Sequence, residues 1–118
     1  MKSAKEIVNE YQAAMDKGDV VAARNFLADD MKFHGPLDTF DKPEPYLNAL
    51  KQLAPILERV EVKKIFADGD EVARFCDLHF RPPLPKTFVG EWFVVRGGKI
   101  VSIRIAFDAR PFATMMPH

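Results

Sequence analysis

The segment GGKIVSIRIAFD, residues 97–108, decides the fold class of this chain. Gly97-Gly98 predicts a tight hairpin turn, and KIVSIRIAF after it is predicted to be a strand that ends at Asp108. FVGEWFVV, residues 88–95, comes directly before the turn and is also rich in β-branched and aromatic residues. The two segments therefore predict an antiparallel strand pair.

Two further strands are expected before this pair. RVEVKKIFA, residues 59–67, runs into the hairpin signal Asp68-Gly69, and EVARFCDLHF, residues 71–80, follows it. RPPLPK, residues 81–86, is predicted to be a loop because proline lacks the amide proton that a strand ladder needs. The second half of the chain is therefore predicted to be an antiparallel meander.

The first half of the chain is predicted to be mainly helical. Ser3 and Glu6 have the spacing of a capping box, and apolar residues recur at helical spacing until Gly18, which can end the first helix. Asp19 can cap a second helix over VVAARNFLA, residues 20–28. The residues that this second helix would bury are Val20, Ala23, Phe26 and Leu27.

A short strand and a third helix complete this half. MKFHG, residues 31–35, is predicted to be a strand whose alternate residues point to opposite faces. One face would carry Met31 and Phe33, and the other Lys32 and His34. A third helix is expected between Asp41, as its cap, and Pro55, which ends it. Helices followed by strands predict an α+β fold, with helices on one face of a curved sheet.

Composition favours one globular domain over residues 1–118. The chain is 47% hydrophobic, which is enough for a core without disulfides. Its 17 basic and 17 acidic residues cancel, which argues against a nucleic-acid partner or a membrane surface. A single cysteine, Cys76, fits a reducing compartment. No signal peptide or membrane span is visible, so a cytoplasmic protein is expected.

Two segments resemble the nuclear transport factor 2-like superfamily. They are EYQAAMDKGDVVAARNFLADDMKFHGP, residues 10–36, and GEWFVVRGGKIVSIRIAFD, residues 90–108. The SnoaL-like polyketide cyclases and the ketosteroid isomerases are the branches that they resemble most. The resemblance implies a cone, in which a curved, mostly antiparallel sheet is wrapped by three helices of the N-terminal half around an apolar pocket. This fold hosts isomerases, cyclases, epoxide hydrolases, dehydratases and non-catalytic modules.

Alternate strand residues are predicted to line this pocket. The family places Ile103, Ile105 and Phe107 of the last strand there. The matching parity gives Ala73, Phe75, Asp77 and His79 on one neighbouring strand and Val89, Glu91, Phe93 and Val95 on the other. The predicted ligand-binding residues are Phe33, His34, Phe75, Asp77, Phe93, Ile103, Ile105 and Phe107.

Glu91 shares its strand face with three apolar residues. A buried carboxylate is costly unless it is paired, hydrogen-bonded or protonated. In ketosteroid isomerases, an acid at the position of Glu91 and a tyrosine at that of Tyr11 form an oxyanion hole, which implies an uncharged Glu91 here. An ion pair with Arg104 or another cation is the alternative. Tyr11 could equally be a core residue with its hydroxyl bonded to the backbone.

The strand that carries the general base in ketosteroid isomerases corresponds to MKFHGP, residues 31–36. The residue aligned with that base is Gly35, which can neither accept nor donate a proton. Its neighbour His34 is predicted at the rim or on the surface. The isomerase base is therefore missing from its usual position.

Two other residues are candidates for the base. SnoaL-like cyclases carry an acid–base aspartate at the end of the last strand, which corresponds to Asp108, although an aspartate there is also an ordinary turn residue. His79 could be a base polarised by Asp77 or Glu91, or a member of a polar network. Asp77 and His79 do not make a zinc signature, because no third ligand stands at a suitable spacing.

These residues predict a small-molecule enzyme of isomerase or cyclase type that uses no metal or organic cofactor. Tyr11 and Glu91 would stabilise an enolate-like oxygen of a small apolar substrate, with Asp108 or His79 as the base. The alternatives are a non-catalytic module that binds a hydrophobic ligand and a structural dimer module with a filled core. A homodimer is expected because the opposite strand faces are largely apolar. Those faces would carry Arg74, Cys76, Leu78, Phe80, Phe88, Trp92 and Val94.

Overall fold

Three helices and six strands make up the chain in the computed structural model, which describes residues 2–115. The helices are α1 (Ala4–Asp16), α2 (Val20–Arg24) and α3 (Pro43–Leu53). The strands are β1 (Leu27–His34), β2 (Thr39–Phe40), β3 (Leu57–Asp68), β4 (Glu71–Phe80), β5 (Thr87–Arg96) and β6 (Lys99–Ala106). Short 3-10 helices cover Ala54–Ile56 and Arg110–Met115. The predicted α+β order is confirmed.

The six strands form one sheet in the order β2-β1-β6-β5-β4-β3. β1 pairs with β6 in parallel, and the other neighbours are antiparallel. α1 packs across β4, β5 and β6, and α3 packs against β1. The side chains with almost no exposed surface in this core include Val8, Tyr11, Leu27, Met31, Phe93, Ile100 and Ile103. In residues 2–115, none of the helices combines the length and apolarity that crossing a membrane requires.

The ends of α1 follow from the sequence signals that predicted them. Ser3 Oγ accepts a hydrogen bond from the Glu6 amide at 3.1 Å, and Glu6 Oε1 accepts one from the Ser3 amide at 3.2 Å. Gly18 has a φ angle of 72°, which costs glycine little. Asp19 then caps α2 by accepting from the Ala22 amide at 3.1 Å. The helical hairpin is confirmed.

α2 is shorter than predicted and ends at Arg24 instead of residue 28. The carbonyl of Phe26 accepts a hydrogen bond from the Ile100 amide at 2.8 Å, and Leu27 pairs with Ile100 in the sheet. Leu27 therefore buries its side chain at the start of β1 rather than in a helix.

α3 begins without the side-chain cap that was predicted. Lys42 occupies the N-cap position, and its side chain makes no capping hydrogen bond. Pro43 occupies the first helical position, where its fixed φ angle and missing amide proton suit a helix start. Asp41 lies 4.0 Å from Lys32 in an exposed ion pair, so the expectation that it caps α3 is wrong.

The predicted β5–β6 hairpin and its inward-facing residues are confirmed, although the ladder carries a register shift between Val94 and Val95 that was not predicted. Gly97 and Gly98 both have positive φ angles, of 58° and 77°, and the strands pair directly on either side of them. Alternate residues of both strands face the helices, and these are Val89, Glu91, Phe93, Val95, Ile103 and Ile105.

The prediction of which β4 side chains point toward the helices is wrong by one residue. Arg74 lies opposite Glu91 in the ladder, and Cys76 lies opposite Val89. Directly paired residues share a face of the sheet, so Arg74 and Cys76 point toward the helices. The residues of β4 on the face away from α1 and α3, here called the outer face, are Ala73, Phe75, Asp77 and His79. Leu78, opposite Thr87, has the same alternation, so Arg74, Cys76 and Leu78 do not belong to the apolar outer face to which they were assigned.

Candidate functional site

A pair of tyrosines joins α1 to α3 inside the cone. The hydroxyl oxygens of Tyr11 and Tyr46 lie 2.7 Å apart and share a hydrogen bond, and both side chains are buried. The Tyr11 ring meets Phe93 of β5 edge-on at 6.5 Å, and the Tyr46 ring stacks on Phe33 of β1 at 4.7 Å. The Tyr11 hydroxyl thus bonds to a second hydroxyl and not to the backbone.

The tyrosine pair has one more O–H donor than its internal hydrogen bond uses. Burial raises the pKa of Tyr11, and the negative charge of nearby Glu91 raises it further. Burial also raises the pKa of Tyr46 well above its usual value, and the neighbouring Tyr11 adds to this. Both hydroxyls are therefore neutral near pH 7. One O–H donates to the other oxygen, so the second O–H can donate to a third acceptor.

Glu91 forms an ion pair with Arg74 on the same interior face. Arg74 Nε donates to Glu91 Oε1 at 2.8 Å, and the two side chains are 6% and 17% exposed. A guanidinium at this distance stabilises the ionised carboxylate. The pairing disagrees with the expected role of Glu91 as a hydrogen-bond donor, because its Oε1 accepts a hydrogen bond from Arg74. The alternative of a buried ion pair holds, with Arg74 as the cation, while Arg104 lies over the Trp92 ring at 4.9 Å.

Cys76 lies beside this ion pair. Its Sγ is 3.6 Å from Glu91 Oε1, within the range of a weak S–H hydrogen bond to that oxygen. Burial and the negative charge of Glu91 raise the pKa of the thiol to about 11. Cys76 is therefore a neutral thiol near pH 7, and it supports the carboxylate instead of acting as a nucleophile.

Asp77 and His79 lie on the outer face, so their predicted position in the pocket is wrong. His79 Nε2 lies 3.1 Å from Glu61 Oε1 on β3, and Lys63 Nζ lies 3.5 Å from Asp77 Oδ2. Hydrogen bonds from Lys63 and His79 lower the pKa of Glu61 to about 2. Phe75 shares this face and stacks on Phe88 at 6.1 Å. The polar network that was the alternative for His79 is the one observed.

Asp108 follows β6 and is exposed. The backbone amide, Nε and Nη2 of Arg110 donate to its carboxylate at 3.1, 2.9 and 2.7 Å. These bonds lower the pKa of Asp108 to about 2, which makes its carboxylate a weak base. Phe107 also lies beyond the strand and meets Phe112 edge-on at 5.6 Å. The role of Asp108 as the base stays a prediction.

His34 and Gly35 lie at the end of β1. His34 is exposed and faces away from Phe33, as the strand alternation predicted. A Cβ atom at Gly35 would lie 3.1 Å from the Phe33 ring and 3.2 Å from the side chain of Ile105. A side chain at this position would therefore need the Phe33 ring and Ile105 to move by a few tenths of an ångström.

Several aromatic side chains, among them Tyr11, Phe33, Tyr46 and Phe93, pack between the helices and the sheet. In the described part of the chain, two depressions lie outside the cone. One, of about 700 Å³, lies on the outer face next to Phe75, Phe88 and Asp108. The other, of about 590 Å³, lies between α2 and α3. Residues 2–115 contain no group of three histidine, cysteine or acidic side chains placed to hold a metal ion.

Sequence reasoning missed two residues of the interior cluster, Tyr46 and Arg74. Tyr46 belongs to the apolar face of α3. Nothing in the local sequence shows whether its hydroxyl takes part in a hydrogen bond inside the fold. Arg74 could have been found, because a carboxylate on an apolar strand face needs a cation and arginine stands on the adjacent strand. The interior cluster of this fold consists of Tyr11, Tyr46, Arg74, Cys76 and Glu91.

The curved sheet closed by helices has the same architecture as nuclear transport factor 2-like proteins. The chain belongs to the family of the SnoaL-like domain, whose model matches residues 8–103. A comparison with curated proteins found no match.

Solved structures share this architecture at low sequence identity. A nuclear transport factor 2-like protein of unknown function from Cytophaga hutchinsonii is 22% identical, with a TM-score of 0.82 over 95% of this chain and 96% of that one. A candidate polyketide cyclase from Sinorhizobium meliloti is 20% identical, with a TM-score of 0.75 over 85% and 93%. An epoxide hydrolase from Mycobacterium tuberculosis, of the LEH-like type, is 23% identical, with a TM-score of 0.73 over 92% and 84%. At these identities the likeness shows the fold alone.

Proposed function

We propose that the protein is a cofactor-independent enzyme that moves a proton on a small, largely apolar carbonyl compound inside the cone. The observation that carries this proposal is that Glu91, paired with Arg74, and a buried tyrosine pair face the same interior within electrostatic range of each other. A carboxylate can accept a proton, and a neutral tyrosine can donate a hydrogen bond to an oxyanion. Two of the structural neighbours carry the names of enzymes, which supports catalysis over a purely structural role.

Glu91 replaces Asp108 and His79 as the proposed base. Its Oε1 accepts from Arg74 and lies next to Cys76, while its Oε2 has no hydrogen-bond partner among residues 2–115. In the proposed step, a proton leaves the carbon next to the carbonyl and binds to Oε2. The electron pair of the broken C–H bond moves to the carbonyl oxygen, which becomes an enolate. The free O–H of the tyrosine pair donates to that oxygen.

The second half of the reaction decides between the two enzyme types. In an isomerase, Glu91 returns its proton to a different carbon of the enolate and is again a carboxylate. In a cyclase, the enolate carbon attacks a second carbonyl group of the same substrate, and the proton from Glu91 neutralises the new alkoxide. Both routes return the enzyme unchanged, and both begin with the same proton transfer.

Exchange of α-protons for deuterium tests that shared step. A panel of bicyclic and steroid-like ketones is incubated with the protein in D₂O, and the loss of α-proton signals is followed by NMR. Glu91→Gln keeps the size and an acceptor for Arg74 but removes the base, so the exchange rate is expected to fall by about 10²-fold or more. Tyr11→Phe is expected to reduce the rate by about 10²-fold by removing hydrogen-bond donation to the enolate.

Two variants serve as controls for the identity of the base. Asp108→Asn and His79→Gln change the residues that the sequence suggested, and both are expected to leave the exchange rate near that of the parent. If Asp108→Asn greatly reduced the exchange rate and Glu91→Gln did not, the base would be Asp108 at the end of β6 and not Glu91.

A non-catalytic module that binds a hydrophobic ligand is the second candidate. It is favoured by Gly35, which supplies no acid at the usual isomerase position and is crowded by Phe33 and Ile105. Under this alternative, ligands raise the melting temperature in a dose-dependent way, but no panel member exchanges its α-protons.

We also propose a homodimer that pairs through the outer face. Phe66, Phe88 and Trp92 are 58%, 59% and 43% exposed there, which leaves a large aromatic area in water on a single chain. Light scattering at tens of micromolar is expected to give twice the chain mass of 13.4 kDa. Phe88→Arg is expected to yield the monomer, whereas Val21→Arg, on exposed α2, is not. A monomer mass for the parent protein would contradict the proposal.

A further inference from the structure

The depression on the outer face, here called the outer trough, lies around two small residues, Gly90 and Ala106. Gly90 of β5 lies directly opposite Ala106 of β6 in the ladder, and both border the depression. Residues this small leave room between the larger side chains on either side, and the depression has a volume of about 700 Å³. Ligand sites in proteins have volumes of about 300 to 1,000 Å³ and are mostly apolar. The outer trough is therefore large enough for a molecule of two fused rings.

Aromatic side chains border the outer trough on two sides. On the β4 side, the Phe75 ring stacks on Phe88 at 6.1 Å with 8° between the ring planes, and it lies 3.4 Å from the place that a Cβ atom of Gly90 would take. After β6, Phe107 borders the trough and meets the buried Phe112 edge-on at 5.6 Å, which anchors this side to the core. Aromatic rings pack well against other rings, edge-on or offset. These two sides therefore favour a flat aromatic ligand.

Lys86 supplies the uncompensated charge at the outer trough. Asp108, the other charged residue that borders it, accepts hydrogen bonds from the Arg110 amide, Nε and Nη2 at 3.1, 2.9 and 2.7 Å. Thr87 Oγ1 donates to the Pro85 carbonyl at 3.1 Å. Over residues 2–115, the salt bridges do not include Lys86. Because Arg110 neutralises Asp108, the charge that remains at the trough is positive and suits an anion.

We propose that the outer trough binds a flat aromatic carboxylate, with its rings over Gly90 and Ala106 and its carboxylate beside Lys86. Phe75 and Phe107 are two of the residues that the sequence predicted to bind a ligand, and both border this trough. The trough lies on the opposite side of the sheet from the interior cluster. Its occupation therefore does not depend on proton transfer by Glu91.

Two matched probes test the proposal on the unmodified protein. 2-Naphthoate and 2-naphthamide share their rings, but only the first is an anion at pH 7.5. In a titration followed by ¹H–¹⁵N NMR, the amide signals of Gly90 and Ala106 are expected to shift more than those of Val21 and Asn48, which border the depression between α2 and α3. The dissociation constant of 2-naphthoate is expected to be about two- to fivefold lower than that of 2-naphthamide, the effect of one exposed ion pair. Equal dissociation constants, or larger shifts at Val21 and Asn48, would overturn the proposal.

Filling the outer trough is expected to abolish binding of both probes. Ala106→Leu adds a bulky side chain at an exposed position at the end of β6, so the melting temperature is expected to stay near that of the parent. Ser102→Leu is the matched control, because it adds the same side chain to the outer face of the same strand, opposite Val94 and away from the trough. Ser102→Leu is expected to bind both probes as the parent does. Parental affinity for 2-naphthoate in Ala106→Leu would contradict the proposal.

Two lysine variants test how the carboxylate is held. Lys86→Gln is expected to bind both probes but to lose the preference for 2-naphthoate, since only the charge is removed. Lys64→Gln removes a lysine from the outer face of β3, opposite Phe75 and outside the trough, and is expected to keep the preference. If Lys86→Gln retains the preference, another group holds the carboxylate and the proposal is wrong.

Phe88 belongs both to the outer trough and to the face proposed for the dimer, so the mass is measured with and without 2-naphthoate. Binding with an unchanged mass would place the trough outside the dimer contact. Binding with a fall to the mass of one chain would show that the ligand replaces a second copy at Phe88. Both results support the proposal. A dimer that binds neither probe would show that the second copy fills the trough, and a monomer that binds neither would show that the trough is no ligand site; either result overturns it.

Discussion

Replacing Glu91 with alanine is expected to lower the free energy of unfolding by about 3 to 5 kcal/mol, the usual cost of breaking a buried ion pair from one side. The substitution leaves the Arg74 guanidinium, 6% exposed, without its carboxylate partner. The cost comes from the stranded cation more than from the lost attraction, because an unpaired charge in the interior keeps little of its hydration. Urea denaturation followed by circular dichroism measures the change.

A double variant separates the two contributions. Arg74→Met combined with Glu91→Leu removes both charges and fills the space with apolar atoms, so it is expected to restore most of the stability lost in Glu91→Ala. Arg104→Met, on the outer face, is the matched single change and is expected to cost less than about 1 kcal/mol. A loss below about 1 kcal/mol in Glu91→Ala would show that water solvates Arg74 and that the pair is not part of the core.

Above pH 10, stability is expected to fall by about 2.7 kcal/mol for each pH unit through the two tyrosines, about 1.4 kcal/mol from each. Tyr11 and Tyr46 are the only tyrosines of the chain, and both have a raised pKa in the fold. In the unfolded chain they lose their protons near pH 10, while the folded chain keeps them. The folded state then binds more protons, so its stability decreases as pH rises. The stabilising effect is complete below pH 10 and disappears as the pH approaches the folded pKa values.

Absorbance at 295 nm detects the tyrosinate directly during this titration. The signal is expected to rise together with the loss of circular dichroism, since ionisation requires the core to open. The double variant Tyr11→Phe with Tyr46→Phe is the control. It retains the lysines, which also titrate in this range, but lacks the contribution of the tyrosines to the pH dependence. A rise at 295 nm near pH 10 with the fold intact would contradict the burial of the pair.

Tight turns explain which strands could be placed from the sequence. Gly97-Gly98 closes the β5–β6 hairpin directly, but a register shift between Val94 and Val95 means that counting from the turn alone would pair Phe93 with Ser102 instead of Ile103. The interior position of Ile103 follows instead from the family resemblance. β4 and β5 are joined by residues 81–86 instead, a proline-rich loop whose length does not determine the register. A shift of one residue exchanges the two faces, which is why Arg74 was placed outside.

The helix errors have a different physical origin. The segment after Arg24 has helical apolar spacing, yet the edge of β6 offers it backbone hydrogen bonds and a deeper core. Tertiary pairing therefore overrides a local preference that is worth only tenths of a kcal/mol per residue.

Two individual residues of the candidate site could be predicted from the sequence, but their hydrogen-bond partners could not. Tyr11 and Glu91 were found from a strand pattern and a resemblance, and both lie inside the cone. Their partners Tyr46 and Arg74 are 35 and 17 residues away along the chain. Since the charge on Glu91 depends on such a distant partner, the sequence alone could not decide between an acid and a carboxylate.

The parallel pairing of β1 with β6 has a consequence for how the chain is made. β1 lies inside the sheet, between β2 and β6, yet its main neighbour is separated from it by most of the sequence. During synthesis, residues 27–34 leave the ribosome long before residues 99–106, so this strand has only the short β2 to pair with in the meantime. Non-local pairings of this kind delay folding until the chain is nearly complete. The N-terminal half therefore spends most of its synthesis time with an unprotected strand edge, and it depends on the last strand to complete the sheet.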